Sequence, residues 1–133
     1  EMIKCTATAP CAGKQEFITN PVDGFQLICA DKGACENYVL TINIDRAPYA
    51  PQSLFGVSCN ADGACKGLRL FILNTGHHAV DAGQLACTQN NACEHAAVLM
   101  QGASFTEVSC VKGTSCDACA IFTDNQYTPC GSF

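Results

Sequence analysis

The chain has 133 residues, about the size of one domain, with twelve cysteines and a net charge of −5. Seven Lys and Arg against twelve Asp and Glu, with no basic cluster, exclude nucleic-acid binding through counterion release. No stretch approaches the roughly 20 apolar residues of a membrane-spanning helix, so we expect no membrane span. The cysteine content predicts a disulfide-rich protein, and hence an extracellular or cell-surface location.

Ten of the cysteines form five pairs that share one five-residue gap, C-x5-C. In chain order the pairs are Cys5/Cys11, Cys29/Cys35, Cys59/Cys65, Cys87/Cys93 and Cys110/Cys116. They predict a repeat protein in which one domain, 1–133, contains units near 1–20, 24–46, 54–74, 83–101 and 105–133.

Each cysteine pair is flanked by the period-2 apolar pattern that is typical of β-strands. The second residue before the pair is always apolar: Ile3, Leu27, Val57, Leu85 and Val108. The third, fifth and seventh residues after the pair are apolar in the three central units, as in Tyr38, Leu40 and Ile42. In a strand these positions lie on one face. Each unit therefore predicts a strand, a turn and a second strand.

The turns between the cysteines also repeat. Gly33, Gly63 and Asn91 occupy one register, and Gly and Asn are the residues that tolerate positive φ. Small residues follow them, suited to a crowded corner: Ala34, Ala64, Ala92 and Ser115. The first unit is degenerate, because Lys14 and Glu16 fill two of its core positions, which is typical of a terminal repeat.

A strand-rich repeat whose first cysteines are 24, 30, 28 and 23 residues apart favours an all-β, disulfide-stapled parallel β-helix (solenoid) of about five coils. The longer intervals contain turn-rich insertions at 45–51 and 74–78, which we expect to project as loops. The alternative is an antiparallel β-sandwich, which also spaces strands and turns at such intervals.

The simplest disulfide pattern closes each C-x5-C pair across its turn. Cys119 and Cys130 remain, and we expect them to tie the C-terminal tail to the last coil. Pairing between neighbouring coils stays open as an alternative, because equivalent cysteines would lie about 4.8 Å apart.

Units such as Leu27-Ile28-Cys29…Cys35…Leu40-Thr41-Ile42 resemble the cysteine-rich C-x5-C β-helix repeats of surface and extracellular proteins of protists, including algae. The resemblance covers roughly residues 24–123 and is one of pattern. It implies a passive structural or adhesive role.

The favoured function is a structural subunit of an extracellular fibre or surface coat. A solenoid without a capping helix would stack on copies of itself through its ends, and its weakly charged faces would associate laterally. The alternative is a secreted carbohydrate-binding solenoid. The partners would thus be the chain itself, or glycans. Four aromatic residues are candidates for an interface or a ligand: Tyr38, Tyr49, Phe71 and Phe133.

The sequence does not favour an enzyme, a cofactor or a metal site. Catalysis in a β-helix would need carboxylates and a basic residue on one face, for which the candidates are Asp45, Arg46, Asp81, His77 and His78. Adjacent histidines in a loop are poorly placed to chelate a metal together. His95 is best explained as a surface residue.

Overall fold

The computed structural model describes residues 2–21, 24–45, 55–76 and 80–133, and only the backbone of Phe55. The described strands are β1 (Met2–Cys5), β2 (Gln15–Thr19), β3 (Phe25–Cys29), β4 (Val39–Ile44), β5 (Phe55–Cys59), β6 (Arg69–Asn74), β7 (Val80–Cys87), β8 (Ala97–Gln101), β9 (Ala103–Cys110), β10 (Ala120–Thr123) and β11 (Gln126–Pro129). A short 3₁₀ helix, Cys130–Ser132, follows them.

The strands form two sheets that the chain visits in turn. One sheet has the order β1-β3-β5-β7-β9, and the other has the order β11-β10-β8-β6-β4-β2. All neighbours are parallel except β10 and β11. The predicted parallel β-solenoid is confirmed, and the antiparallel sandwich is wrong. The chain makes about four turns, and five strands stack in the first sheet.

Residues at equivalent positions of the cysteine repeat are paired with one another in the sheets. Cys5, Cys29, Cys59, Cys87 and Cys110 are successive partners, and so are the apolar residues two positions before them. In the second sheet Leu40 pairs with Leu70, and Leu70 pairs with Val98. These inward side chains are buried in the inner coils, whereas Ile3, Val108 and Cys110 in the terminal coils are half-buried and Lys14 is exposed. The core is therefore a stack of equivalent layers between the sheets.

Each corner between the sheets depends on left-handed backbone. Gly33, Gly63 and Asn91 have φ of 66°, 59° and 55°, as predicted. A second left-handed position lies two residues after the second cysteine of every pair: Gly13, Asn37, Gly67, His95 and Ala118. The corners stack through backbone hydrogen bonds, such as Cys35 N–H to the Ala64 carbonyl at 2.8 Å. The small corner residues are buried, as expected.

A hairpin covers the edge of β10 at the C-terminal end of the solenoid. Asp124 and Asn125, with φ of 48° and 70°, make a two-residue turn that folds β11 back onto β10. The 3₁₀ helix then lies against β9. A hairpin rather than a helix forms this end, and β9 and β11 are edge strands with one neighbour each among the described strands. At the opposite end, β1 and β2 each have a neighbour on one side only among the described strands.

Candidate functional surface

A stack of disulfides forms the frame of the molecule. Each C-x5-C pair is bonded internally and the tail pair is bonded as expected, with Cα–Cα distances of 5.4–5.8 Å. Pairing between neighbouring coils, the alternative that the sequence left open, does not occur. In chain order the bonds are Cys5–Cys11, Cys29–Cys35, Cys59–Cys65, Cys87–Cys93, Cys110–Cys116 and Cys119–Cys130.

The two cysteines of each C-x5-C pair have different positions in the coil. The first cysteine is the last residue of a strand, whereas the second lies at the corner and outside the strands. Cys11 and Cys93 show the corner arrangement, since each donates its backbone N–H to a carbonyl of the next coil at 2.8 Å. Cys93 is fully buried, and Cys11 in the degenerate first unit is 6% exposed. Each C-x5-C disulfide thus links the end of a strand to the corner that follows it.

Three of the disulfide sulfurs form a tight group. The sulfurs of Cys29, Cys59 and Cys65 lie within 4.8 Å of one another, a spacing that would suit a metal ion. Each of them is already bonded to another sulfur. The group therefore offers no thiolate to a metal ion.

The outer face of the six-stranded sheet carries a continuous apolar row. Strand side chains alternate between faces, so the sixth residue after each second cysteine points outward. The ladder pairs place these residues side by side, and β11 adds one more; we call them the outer row: Phe17, Thr41, Phe71, Leu99, Phe122 and Tyr127. Phe17 is 74% exposed and Tyr127 is 59% exposed. Solvent therefore meets aromatic side chains along the length of this sheet.

The rest of this face is nearly uncharged. Arg69 is the one charged residue among the outward strand positions that the structure describes on this sheet. Uncharged polar side chains flank the outer row, among them Gln15, Asn43 and Gln101. A shallow depression of about 150 Å³ opens in its middle, lined by Arg69, Phe71, Ala97, Val98, Leu99 and Phe122. The face is thus a flat apolar platform with polar margins.

Charge is concentrated at the corners instead. Lys32, Glu36, Asp62, Lys66 and Glu94 line a corner groove of about 290 Å³. Lys66 and Glu94 form an ion pair at 3.5 Å, with both side chains partly exposed. Because the groove holds both positive and negative side chains, it presents no concentrated charge to an ionic ligand.

The four aromatic candidates have different positions. Phe71 lies in the outer row, half-buried, and Phe133 is 46% exposed beyond the 3₁₀ helix. Tyr49 lies outside the described residues. Tyr38 was wrongly proposed as a ligand or interface residue, because its third position after the cysteine pair points it into the core, where it is fully buried.

The environment of Tyr38 is unusual for a phenol. Burial raises the pKa of Tyr38, and the neighbouring negative charge of Glu16 raises it further. The hydroxyl meets no partner at hydrogen-bond geometry among the described residues, so Glu16 acts on it through charge in this conformation. Tyr38 is therefore a core residue that stays protonated.

The structure does not bring the described catalytic candidates together. Asp45 is exposed and exchanges hydrogen bonds with Asn20, at 2.6 and 3.0 Å. Asp81 accepts hydrogen bonds from Gly83 N–H and from the Thr106 hydroxyl on the neighbouring strand β9. His95 is exposed at a corner. Arg46, His77 and His78 lie outside the described residues.

Sequence reasoning missed most of the outer row, because it followed inward positions only. The signal was present at the sixth residue after each second cysteine, where an aromatic recurs in units one, three and five: Phe17, Phe71 and Phe122. Tyr127 joins the row only through the C-terminal hairpin.

The fold defines a class: a cysteine-rich parallel β-solenoid with one C-x5-C disulfide in each coil. No protein-family model matches the chain, and neither the curated proteins nor the solved structures contain a significant match. In the part of the chain that is described, no helix has the length and apolar character needed to cross a membrane. Six disulfides indicate an oxidising compartment.

Proposed function

We propose that this protein is a structural subunit of an extracellular fibre or surface coat. The observation that carries the proposal is one broad face with little charge, since the corners hold the charged groove and the described outer face of the six-stranded sheet holds only Arg69. Flat faces with little charge associate at small desolvation cost. The resemblance to C-x5-C β-helix repeats of protist and algal surfaces supports the same role.

The hairpin at the C-terminal end changes how copies would meet. A head-to-tail stack would not bring both sheets into contact together, because β11 gives the six-stranded sheet one strand more than the five-stranded sheet at this end. The end formed by β1 and β2 has no such obstacle. Two copies related by a two-fold axis across this end would pair both sheets edge to edge, because turning one coil over reverses both of its strands. Dimers joined at this end are therefore the proposed building block.

A single backbone group tests this pairing. The N–H of Val39 donates to the Lys14 carbonyl at 2.9 Å, so Gln15, the ladder partner of Val39, turns its own N–H toward the open edge. Gln15→Pro deletes that N–H and leaves the internal ladder intact, since Gln15 is the first residue of β2. Gln15→Val is the matched control, because it keeps the N–H and favours a strand.

The assay is light scattering coupled to size-exclusion chromatography over a concentration series, with negative-stain microscopy of the same samples. We expect dimers and larger assemblies for the wild type and for Gln15→Val, and a weaker dimer for Gln15→Pro. A wild-type protein that stays monomeric at every concentration refutes the structural-subunit proposal. Equal assembly by both variants refutes the edge pairing.

A further inference from the structure

We propose that the outer row binds an extended, uncharged β-1,4-linked glucan of the cellulose type, with the polymer lying along the solenoid axis. This goes beyond a structural role, since it names a ligand and a face that edge pairing leaves free. It rests on three properties of the row: the spacing of its rings, its lack of charge and its polar margins.

The spacing of the rings is set by the sheet. Phe17, Phe71 and Phe122 lie on alternate strands, two strand separations apart. Neighbouring strands are about 4.8 Å apart, so successive rings are about 9.6 Å apart. This is close to the length of one disaccharide unit in an extended β-1,4-linked chain. A ring can therefore meet the same face of every second sugar.

The chemistry of the face fits an uncharged polysaccharide. The axial C–H groups of a glucose ring pack well on an aromatic face, whereas its hydroxyls point sideways. The rings of the outer row would take the C–H faces. Gln15, Asn43 and Gln101 flank the row with amide groups that can bond to hydroxyls on both margins. Because Arg69 is the one charge described on the face, the row has little to offer an anionic polymer.

The extent of the row suits a polymer better than a single sugar. Six strands at about 4.8 Å give a row about 24 Å long, enough for two to three disaccharide units. Each ring contributes modestly, and the sum over several rings gives affinity. The disulfide frame fixes the spacing before binding, which lowers the entropic cost of binding.

The test is depletion of the purified protein from solution by microcrystalline cellulose, with starch granules as an α-linked control and chitin as a second β-1,4 polymer. Variants Phe71→Ala and Phe122→Ala remove one ring each. Val111→Ala is the matched control, since Val111 is 62% exposed but belongs to neither sheet. The double variant Phe71→Ala/Thr41→Phe keeps the number of rings and moves one of them by a strand.

We expect the wild type to bind cellulose and not starch, with affinity lowered about tenfold by loss of either ring. Val111→Ala should bind like the wild type, and the transposed ring should not restore binding. Absence of cellulose binding, binding to chitin alone, or full binding by the transposed variant overturns the proposal.

A second measurement uses only the wild-type protein and so does not depend on whether the variants fold. Titration with a soluble β-1,4-linked glucose hexasaccharide should shift the NMR signals of the outer row and leave those of the five-stranded sheet unchanged. Shifts elsewhere, or none, overturn the proposal as well. Light scattering on the same samples measures self-association independently of glucan binding. Failure of the glucan proposal can therefore be distinguished from failure of the structural-subunit proposal.

Discussion

Removal of single disulfides separates two ways in which the frame stabilises the fold. Cys59–Cys65 and Cys110–Cys116 close loops of equal length, with a sequence separation of 6 in each. The cross-link restrains the unfolded chain by about 2.4 kcal/mol in either case. The native environments differ, because Cys59 and Cys65 are fully buried whereas Cys110 and Cys116 are half-buried.

The double variant Cys59→Ala/Cys65→Ala should therefore cost more than Cys110→Ala/Cys116→Ala. Each fully buried sulfur adds about 1 kcal/mol of lost packing and cavity formation. We expect the inner pair to lower the free energy of unfolding by about 4 kcal/mol and the outer pair by about 3 kcal/mol. The unfolded-state contribution cancels in the comparison, so the difference reports packing in the disulfide stack.

Urea unfolding followed by far-UV circular dichroism, without reductant, measures both values. The m-value, the slope of the free energy of unfolding against urea concentration, should rise by a similar amount in the two variants. Each variant loses a cross-link of equal length and so exposes more surface on unfolding. Equal losses of stability would show that the stacked sulfurs contribute nothing beyond the cross-link. A larger loss for the outer pair would refute the reasoning.

Three further substitutions probe backbone and core. Ala118→Gly should raise the free energy of unfolding by about 0.5–1 kcal/mol, read as a higher Tm, because Ala118 has a φ of 54°. Gly102→Ala should lower it by about 2 kcal/mol in urea unfolding, because a Cβ there would lie 2.9 Å from the Asn74 carbonyl oxygen at a φ of 67°. The pKa of Tyr38 is higher in the folded protein than in the unfolded chain. The contribution of Tyr38 to the free energy of unfolding is therefore complete below the unfolded pKa near 10 and declines as the pH rises above it. The slope of unfolding free energy against pH above 10 should thus be shallower in Tyr38→Phe, and an unchanged slope would contradict this account.

The parts of the fold that follow from local residue types could be predicted from the sequence. The cysteine pairs indicate which residues of neighbouring strands are partners. The apolar alternation around them indicates the strands, because with a period of two only one register puts all the apolar side chains on the core face. The turns at Gly33 and Gly63 could be predicted for the same reason, since positive φ selects glycine.

Other parts depend on tertiary structure or on signals that were not followed. His95 and Ala118 adopt left-handed backbone although the sequence offers no glycine or asparagine to indicate it at these positions. Stacking determines their conformation, as in the hydrogen bond from His95 N–H to the Asp117 carbonyl at 2.9 Å. The hairpin at Asp124 and Asn125 was readable, since two turn-forming residues between short apolar runs are a hairpin signal. It was missed because the tail was considered only as a disulfide-tied segment.

The frame and the outer row depend on each other. The stacked disulfides add buried cysteine pairs to an interior that otherwise holds aliphatic side chains and three aromatics, Phe25, Tyr38 and Phe105, while Phe17 and Phe122 stay on the surface. In an unstapled sheet of this size those aromatics would be needed inside, since small domains bury too little apolar area to be stable. Exposed aromatic side chains also invite aggregation unless the backbone beneath them is fixed. The disulfides at the corners fix it, so a row of rings at constant spacing is a surface that this scaffold can maintain.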